Sequence, residues 1–319
     1  MSNHADQPAQ QVSLFGDAAS ELPPDSPAAA WDRNSAKRAL DELFSQTHQY
    51  KSSKAYLDLL TFIRQFRSYS PFNSMLVHVQ MPGAQFVAPP HRWRRDYGRN
   101  IKPGARPLVI LQPMGPVMFV FDVADTEGRA LPPEIESPFE VRGGKIGSEI
   151  ERASENGKRD GVLIHGRRLG TQQAGSIRTA GGMSLAFGET TVPLRYALEL
   201  NDDLGREARF VTLAHELGHL YCGHLGTPDE SWWPDRRGLT HQVREFEAES
   251  VAFLVCSRLC IDNPSETYLA GYVKDNEQVP AISLECVLKS AGLIESMARG
   301  KLRMRKKREK ASKRIAPGV

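Results

Sequence analysis

The segment that most constrains the fold of this 319-residue chain runs from Phe210 to Tyr221 and contains His215-Glu216-x-x-His219. Its apolar residues recur at helical spacing, which predicts an amphipathic helix with one buried stripe. Residues four apart lie on the same face of a helix, so both imidazoles could bind one metal ion. Glu216 is rotated by about 100° from His215 on such a helix, and it would reach a water molecule on that ion.

The sequence just before this segment supports the same interpretation. Asn201-Asp202-Asp203 offers N-cap residues for the helix. Residues 195–200 are predicted to form a strand, and we expect that strand to bind an extended substrate as an added β-strand. A helix with this motif is typical of zinc-dependent peptidases.

A catalytic zinc requires a third protein ligand. The pattern with a glycine and a third histidine downstream fails, because those positions hold Cys222 and Leu225. Glu245 is the preferred candidate, since it is spaced four residues from Glu249 on a second predicted helix. Glu249 would accept a hydrogen bond from the nitrogen of a ligating histidine that does not face the metal.

Other residues near the motif leave alternatives open. His224 and His241 remain rivals of Glu245 for the third ligand position. Glu247 points away from the face shared by Glu245 and Glu249, so we expect it to be exposed to solvent or paired with Arg244.

Two basic segments predict contact with nucleic acid. Residues 91–106 contain six Lys or Arg and one Asp, and cations interleaved with aromatic rings are typical of single-stranded DNA binding. The residues predicted to contact DNA are Arg92, Trp93, Arg94, Arg95, Tyr97, Arg99 and Lys102. The alternative for Trp93 is a ring anchored in the core beneath a solvated basic loop. The second segment, residues 301–319, contains nine Lys or Arg and one Glu. It is predicted to be either a polyanion contact or a solvated disordered tail.

Composition restricts the class of protein. No apolar run approaches the ~18 residues needed to span a bilayer, and the N-terminus has no secretory signal pattern. The four cysteines lack CxxC spacing, which favours reduced thiols. We therefore expect a cytoplasmic protein that does not contact membranes.

Hydrophobic periodicity predicts a mixed α+β chain with two domains. Helices are expected over 34–48, 53–67 and 73–80, and strands over 108–111, 117–121, 161–164 and 183–187. The predicted divisions are a disordered tail over 1–33, a domain over 34–133, a metal-binding domain with a small mixed sheet over 134–300, and a disordered basic tail over 301–319.

Two sets of motifs resemble a known family. The first set is Tyr69–Val77 (YSPFNSMLV), Gln80-Met-Pro82, Trp93, Gly98-Arg99, Lys102-Pro-Gly104, Phe121-Asp-Val123 and Thr126-Glu-Gly128. It resembles the N-terminal single-stranded-DNA-binding domain of ArdC-type antirestriction proteins. The second set is the HExxH segment, the Glu-x-x-Ala-Glu of 245–249 and residues 268–274. It resembles their zincin-like metallopeptidase domain, and also the ImmA/IrrE metallopeptidases.

The resemblance covers about residues 35–300 and implies a peptidase attached to a DNA-binding module. Zinc, or alternatively Mn²⁺ or another divalent metal, would be bound by His215, His219 and Glu245, with Glu216 as general base. Tyr268 is a candidate for stabilising the oxyanion. Two alternatives remain open: a non-enzymatic antirestriction protein with a structural metal, and an ImmA/IrrE-like regulatory peptidase that cleaves a repressor.

Overall fold

The computed structural model describes residues 53–112, 115–131, 145–170, 173–261, 269 and 279–305. Within these ranges the chain forms seven α-helices and several small sheets, so the predicted α+β class is confirmed. The predicted N-terminal tail, the helix expected over 34–48, Tyr268 and residues 306–319 lie outside the described residues. None of the described helices has the length and apolar composition needed to cross a membrane.

The predicted helices and strands that fall on described residues are present, and further short elements lie between them. The elements are α1 (Ser53–Gln65), α2 (Pro71–Gln80), β1 (Val87–Ala88), α3 (Pro90–Tyr97), β2 (Arg99–Ile101), β3 (Leu108–Gln112), β4 (Gly115–Asp122), β5 (Thr126–Gly128), α4 (Glu149–Gly157), β6 (Val162–Arg167), β7 (Gly175–Thr179), β8 (Ser184–Phe187), β9 (Thr190–Pro193), β10 (Tyr196–Asn201), α5 (Arg206–Tyr221), α6 (His241–Arg258) and α7 (Leu284–Arg299).

Residues 84–131 belong to one compact unit. Its main sheet has the strand order β1–β4–β3 with antiparallel pairing, and β2 pairs with β5 in a separate ladder. The basic segment begins as the helix α3, because Pro90 occupies its first turn and Gly98 ends it with a left-handed φ of 61°. The ring of Trp93 packs with Ala88 and Phe121 in the core of this unit.

Residues 53–83 and 145–305 belong to the second compact unit. Its sheet has the order β6–β10–β7, in which β10 is parallel to β6 and antiparallel to β7. The inner strand β10 is buried along most of its length, and a short turn connects it to α5. The sheet and α5 together fix the position of the histidine motif.

Close packing of α5 on α6 depends on small side chains. A Cβ on Gly218 of α5 would lie 3.2 Å from Cα of Ala248 and 3.3 Å from Cβ of Val251, both on α6. Such distances are tighter than ordinary carbon contacts. The glycine therefore lets the two helices approach closely, which brings the histidines of α5 near the carboxylates of α6.

The grouping of α1 and α2 differs from the predicted division at residue 133. Both helices belong to the unit that carries α6 and α7. The guanidinium of Arg258 explains part of this packing, because it donates to the carbonyls of Ile63 and Phe66 at 2.8 and 2.9 Å. The predicted boundary itself falls at residues 133–134, outside the described residues.

Candidate metal centre

The helix that carries the motif forms as predicted, and its apolar stripe is buried. Its predicted N-cap is wrong, because Gly205 occupies that position. Asn201 ends β10 instead, and its side-chain amide donates to the carbonyls of Gly170 and Gln173 at 2.6 and 2.9 Å. These bonds hold the loop that precedes β7.

Three side chains from two helices meet at one point. The Nε2 atoms of His215 and His219 are 3.1 Å apart. Glu245 places Oε2 at 3.5 Å from Nε2 of His215 and Oε1 at 3.5 Å from Nε2 of His219. With zinc–ligand bonds of about 2.0–2.1 Å, tetrahedral ligand atoms lie roughly 3.3 Å apart. The donor atoms therefore suit zinc in chemical type and in spacing.

The outward-facing nitrogens of both histidines have polar neighbours. Nδ1 of His215 lies 3.3 Å from Oε1 of Glu249, and Nδ1 of His219 lies 2.9 Å from Nδ1 of His224. An imidazole that donates from Nδ1 keeps its lone pair on Nε2. Two such lone pairs at this separation repel each other unless a proton or a metal ion lies between them. The residues present therefore fit a bound metal ion.

The ionisation of these groups is consistent with a cation at this point. Burial alone would lower the pKa of His215, but the carboxylates of Glu245 and Glu249 raise it to about 10. Burial lowers the pKa of His219. The two histidines hold the pKa of the Glu245 carboxyl far below its usual value. Near neutral pH the cluster thus holds a proton on His215, which a metal ion would displace on binding.

Glu216 lies half-buried beside this cluster. Burial raises the pKa of its carboxyl; His215 acts to lower it, and the nearby Glu245 carboxylate raises it further. The backbone of Ile177 on β7 acts to lower the pKa of this carboxyl, but burial outweighs it. A carboxylate with a raised pKa can accept a proton and return it.

The sheet edge beside α5 is β7, which corrects the predicted substrate strand. Residues 196–200 of the predicted strand lie in β10, whose two edges are already paired with β6 and β7, so this strand cannot accept another one. Among the described residues β7 is an edge strand, and it packs against α5. A Cβ on Gly175 would lie only 2.6 Å from Cγ2 of Thr212 on that helix.

Glu247 is buried, contrary to the prediction that it would be exposed or paired with Arg244. Arg236 donates to both of its carboxylate oxygens at 2.6 and 2.7 Å, and the backbone N–H of Ser283 donates at 2.6 Å. Nε2 of His224 lies 2.9 Å from the same carboxylate. Burial raises the pKa of Glu247, but His224 and Arg236 outweigh that effect and lower it.

These contacts bear on the rivals for the third ligand. Both ring nitrogens of His224 face other side chains, namely His219 and Glu247, and not the point where His215, His219 and Glu245 meet. This arrangement disfavours His224 as the third ligand. Nδ1 of His241 lies 3.3 Å from Oε1 of Glu245, but its side chain is 80% exposed. Cys222, His224 and Glu247 form a second buried cluster with ligand-type atoms. There the Arg236 cation already neutralises the carboxylate, which disfavours a metal ion.

The residues predicted to contact DNA occupy two kinds of environment. Trp93 is fully buried, and its Nε1 donates to the carbonyl of Phe121 at 3.0 Å. Its face is therefore not available to a base. The half-buried ring of Tyr97 packs edge-on against Phe86, which leaves Tyr97 as the aromatic candidate.

The cations of this segment are partly committed to internal contacts. The guanidinium of Arg99 donates to the hydroxyl and the carbonyl of Thr126 at 2.8 and 2.9 Å, so it ties β2 to β5. Arg92 and Arg95 both pair with Asp96 at 3.1 and 2.6 Å. Arg94 and Lys102 lie on the surface, and Lys102 donates to the carbonyl of Ala124 at 2.8 Å.

Sequence reasoning missed the contacts behind His219. His224 follows His219 by five residues, so the helical period does not place it beside that ring. Arg236 lies in a loop, and its spacing gives no signal for a contact with Glu247. Once Glu247 is known to be buried, its carboxylate requires a partner of opposite charge. The sequence did not identify Arg236 as that partner.

Compared with known proteins, the chain matches no family model, no curated protein and no solved structure. The assignment of roles to His215, Glu216, His219, Glu245 and Glu249 therefore rests on motif and geometry.

Proposed function

We propose that this protein is a zinc-dependent peptidase with a zincin-like domain, in which His215, His219 and Glu245 bind the metal. The observation that supports this proposal is the convergence of both Nε2 atoms and the Glu245 carboxylate within 3.5 Å of one another. Glu249 would hold the ring of His215 in its ligating orientation.

Bound zinc would polarise a peptide carbonyl and make water a better nucleophile near neutral pH. Glu216 would take a proton from the attacking water and pass it to the leaving amine. Its raised pKa suits both steps, because a very weak base would not accept the proton.

The edge of β7 that faces away from β10 would bind the substrate in an extended conformation. Backbone N–H and C=O groups on an edge strand pair with an added strand and give affinity without selecting a side chain. The edge lies against the helix that carries the metal ligands, so a peptide bound there would run past the site.

Zinc titration and peptide hydrolysis test the proposal. Glu216→Gln should keep zinc affinity and lose hydrolysis of a quenched fluorescent peptide library. Glu245→Ala should lose zinc affinity. Glu207→Gln is a matched control, because Glu207 is an exposed carboxylate on the same helix, and it should change neither quantity.

The outcomes separate the alternatives. A wild-type chain that binds no zinc contradicts the metal site. Zinc binding with no effect of Glu216→Gln on function favours the structural-metal protein, because a structural site needs no general base. Cleavage of one repressor and not of the library would identify the ImmA/IrrE-like peptidase.

A second proposed activity is single-stranded DNA binding by an ArdC-like module in antirestriction. The exposed cations Arg94 and Arg95 on α3 and the nearby Lys102 support it, since such groups neutralise phosphates. Tyr97 is the proposed stacking residue.

A further inference from the structure

We infer that His224 is a positioning residue, which fixes the tautomer of the metal ligand His219 from behind by accepting the proton of its Nδ1. This inference rests on the proposed metal site. It assigns a role to a chain of four buried or half-buried side chains: Arg236, Glu247, His224 and His219.

The direction of the hydrogen bonds begins at Arg236. A guanidinium only donates, so both oxygens of Glu247 accept from it. The carboxylate then accepts from Nε2–H of His224, which lies 2.9 Å away. Arg236 already balances the one charge of Glu247, and a fully buried second cation would lack a counter-charge. An imidazole whose single N–H is on Nε2 carries a lone pair on Nδ1, so His224 can accept a hydrogen bond there.

The next step fixes His219. Its Nδ1 lies 2.9 Å from Nδ1 of His224, and an acceptor there requires a donor on His219. A neutral imidazole has one N–H, so Nε2 of His219 keeps its lone pair. That atom is the one that faces Nε2 of His215 and the Glu245 carboxylate. The chain of bonds thus selects the tautomer that can bind a metal.

Backbone geometry holds His224 in this place. The backbone N–H of His224 donates to the carbonyl of His219 at 3.0 Å. Gly223 has a φ of 87°, and a Cβ there would overlap the carbonyl of Pro234. Only glycine fits such a position without strain. The turn therefore returns His224 to the ring that it orients.

The two metal ligands are thus supported differently. Glu249 contacts His215 directly, whereas Glu247 acts on His219 through an intervening imidazole. A carboxylate in direct contact is a common partner of a ligating histidine. The relay lets Glu247 remain in its ion pair with Arg236 while His219 still receives a neutral acceptor.

The first experiment measures the tautomer of His219 directly. Nitrogen-15 NMR of the metal-free, histidine-labelled protein distinguishes a protonated ring nitrogen from one with a lone pair. We expect Nδ1–H and a lone pair on Nε2 in the wild type. In His224→Ala we expect loss of this preference, with Nε2–H populated. A wild-type His219 that carries its proton on Nε2 overturns the inference.

The second experiment measures zinc affinity by competition with a chromophoric chelator. His224→Ala should weaken zinc binding by about tenfold to hundredfold, the usual effect of removing such a partner. His224→Asn should recover part of the loss, because its amide oxygen can accept near the position of Nδ1. Tyr221→Phe is the control, because Tyr221 lies on the same helix as His219 and donates a buried hydrogen bond to Asp160. Loss of that bond should leave zinc affinity unchanged.

The free energy of unfolding of each metal-free variant tests for a purely structural effect. If His224→Ala and Tyr221→Phe lower zinc affinity equally, in proportion to lost stability, the inference is overturned. Equal zinc affinity in wild type and His224→Ala also overturns it. A wild-type protein that does not bind zinc contradicts the proposed function instead. In that case the NMR experiment still tests whether His224 fixes the tautomer of His219.

Discussion

Arg258, the last residue of α6, is expected to contribute strongly to the stability of the second compact unit. Its buried guanidinium lies at the C-terminal end of α1. Its side chain is 1% exposed and contacts the Glu295 carboxylate at 3.1 Å. The same guanidinium donates to the carbonyls of Ile63, Phe66 and Tyr69 at 2.8, 2.9 and 2.6 Å. The last carbonyls of a helix have no partner within it. Arg258 therefore caps α1 and neutralises Glu295 together.

Replacement of Arg258 by Met removes both functions while it keeps most of the apolar side chain. Breaking a buried ion pair costs about 3–5 kcal/mol, and each buried carbonyl without a donor adds about 1–3 kcal/mol. Water entry and the nearby cation of Arg299, 2.6 Å from Glu295, offset part of this sum. We expect a loss of about 4 kcal/mol, a large share of the ~5–15 kcal/mol typical of a domain.

Urea denaturation of the metal-free protein measures this loss. The double variant with Glu295→Gln should be less destabilised than the sum of the single variants, because it also removes the unpaired carboxylate. Hydrogen exchange should show faster opening of α1 in Arg258→Met. A loss below about 1 kcal/mol, or unchanged exchange in α1, would refute the role of Arg258 as a buried cap.

Three further outcomes are expected. Gly218→Val should lower the free energy of unfolding by about 1–3 kcal/mol through overpacking against α6. It should also weaken zinc binding in equilibrium titration. Unchanged zinc affinity would show that the spacing of the two helices does not set the site. Zinc affinity should rise about tenfold from roughly pH 7 to 8, since one proton leaves His215, whose pKa is about 10; a pH-independent affinity contradicts this. Neutralising Arg94, Arg95 and Lys102 should reduce the slope of log DNA affinity against log salt by roughly two. Deletion of residues 306–319 is the control, and binding that depends only on this deletion would exclude the predicted segment.

The sequence alone predicted the elements whose residues are close in the chain. The spacing of His215 and His219 places them on one helical face, because the helix repeats every ~3.6 residues. The same period paired Glu245 with Glu249, and short continuous apolar runs predicted strands such as β3 and β4. Local periodicity also produced the α+β class, since it reports secondary structure wherever one face is buried.

Tertiary structure decided the contacts between residues that lie far apart in the chain. The sequence did not show that β10 is the inner strand, because strand order depends on pairing between distant segments. It also did not show that Glu247 is buried, because its counter-charge Arg236 comes from a loop. The sequence left open whether Trp93 stacks on a base or lies in a core, and the tertiary structure places its ring in a core. Side-chain periodicity reports which face is buried, whereas the partner in the core depends on how the whole chain packs.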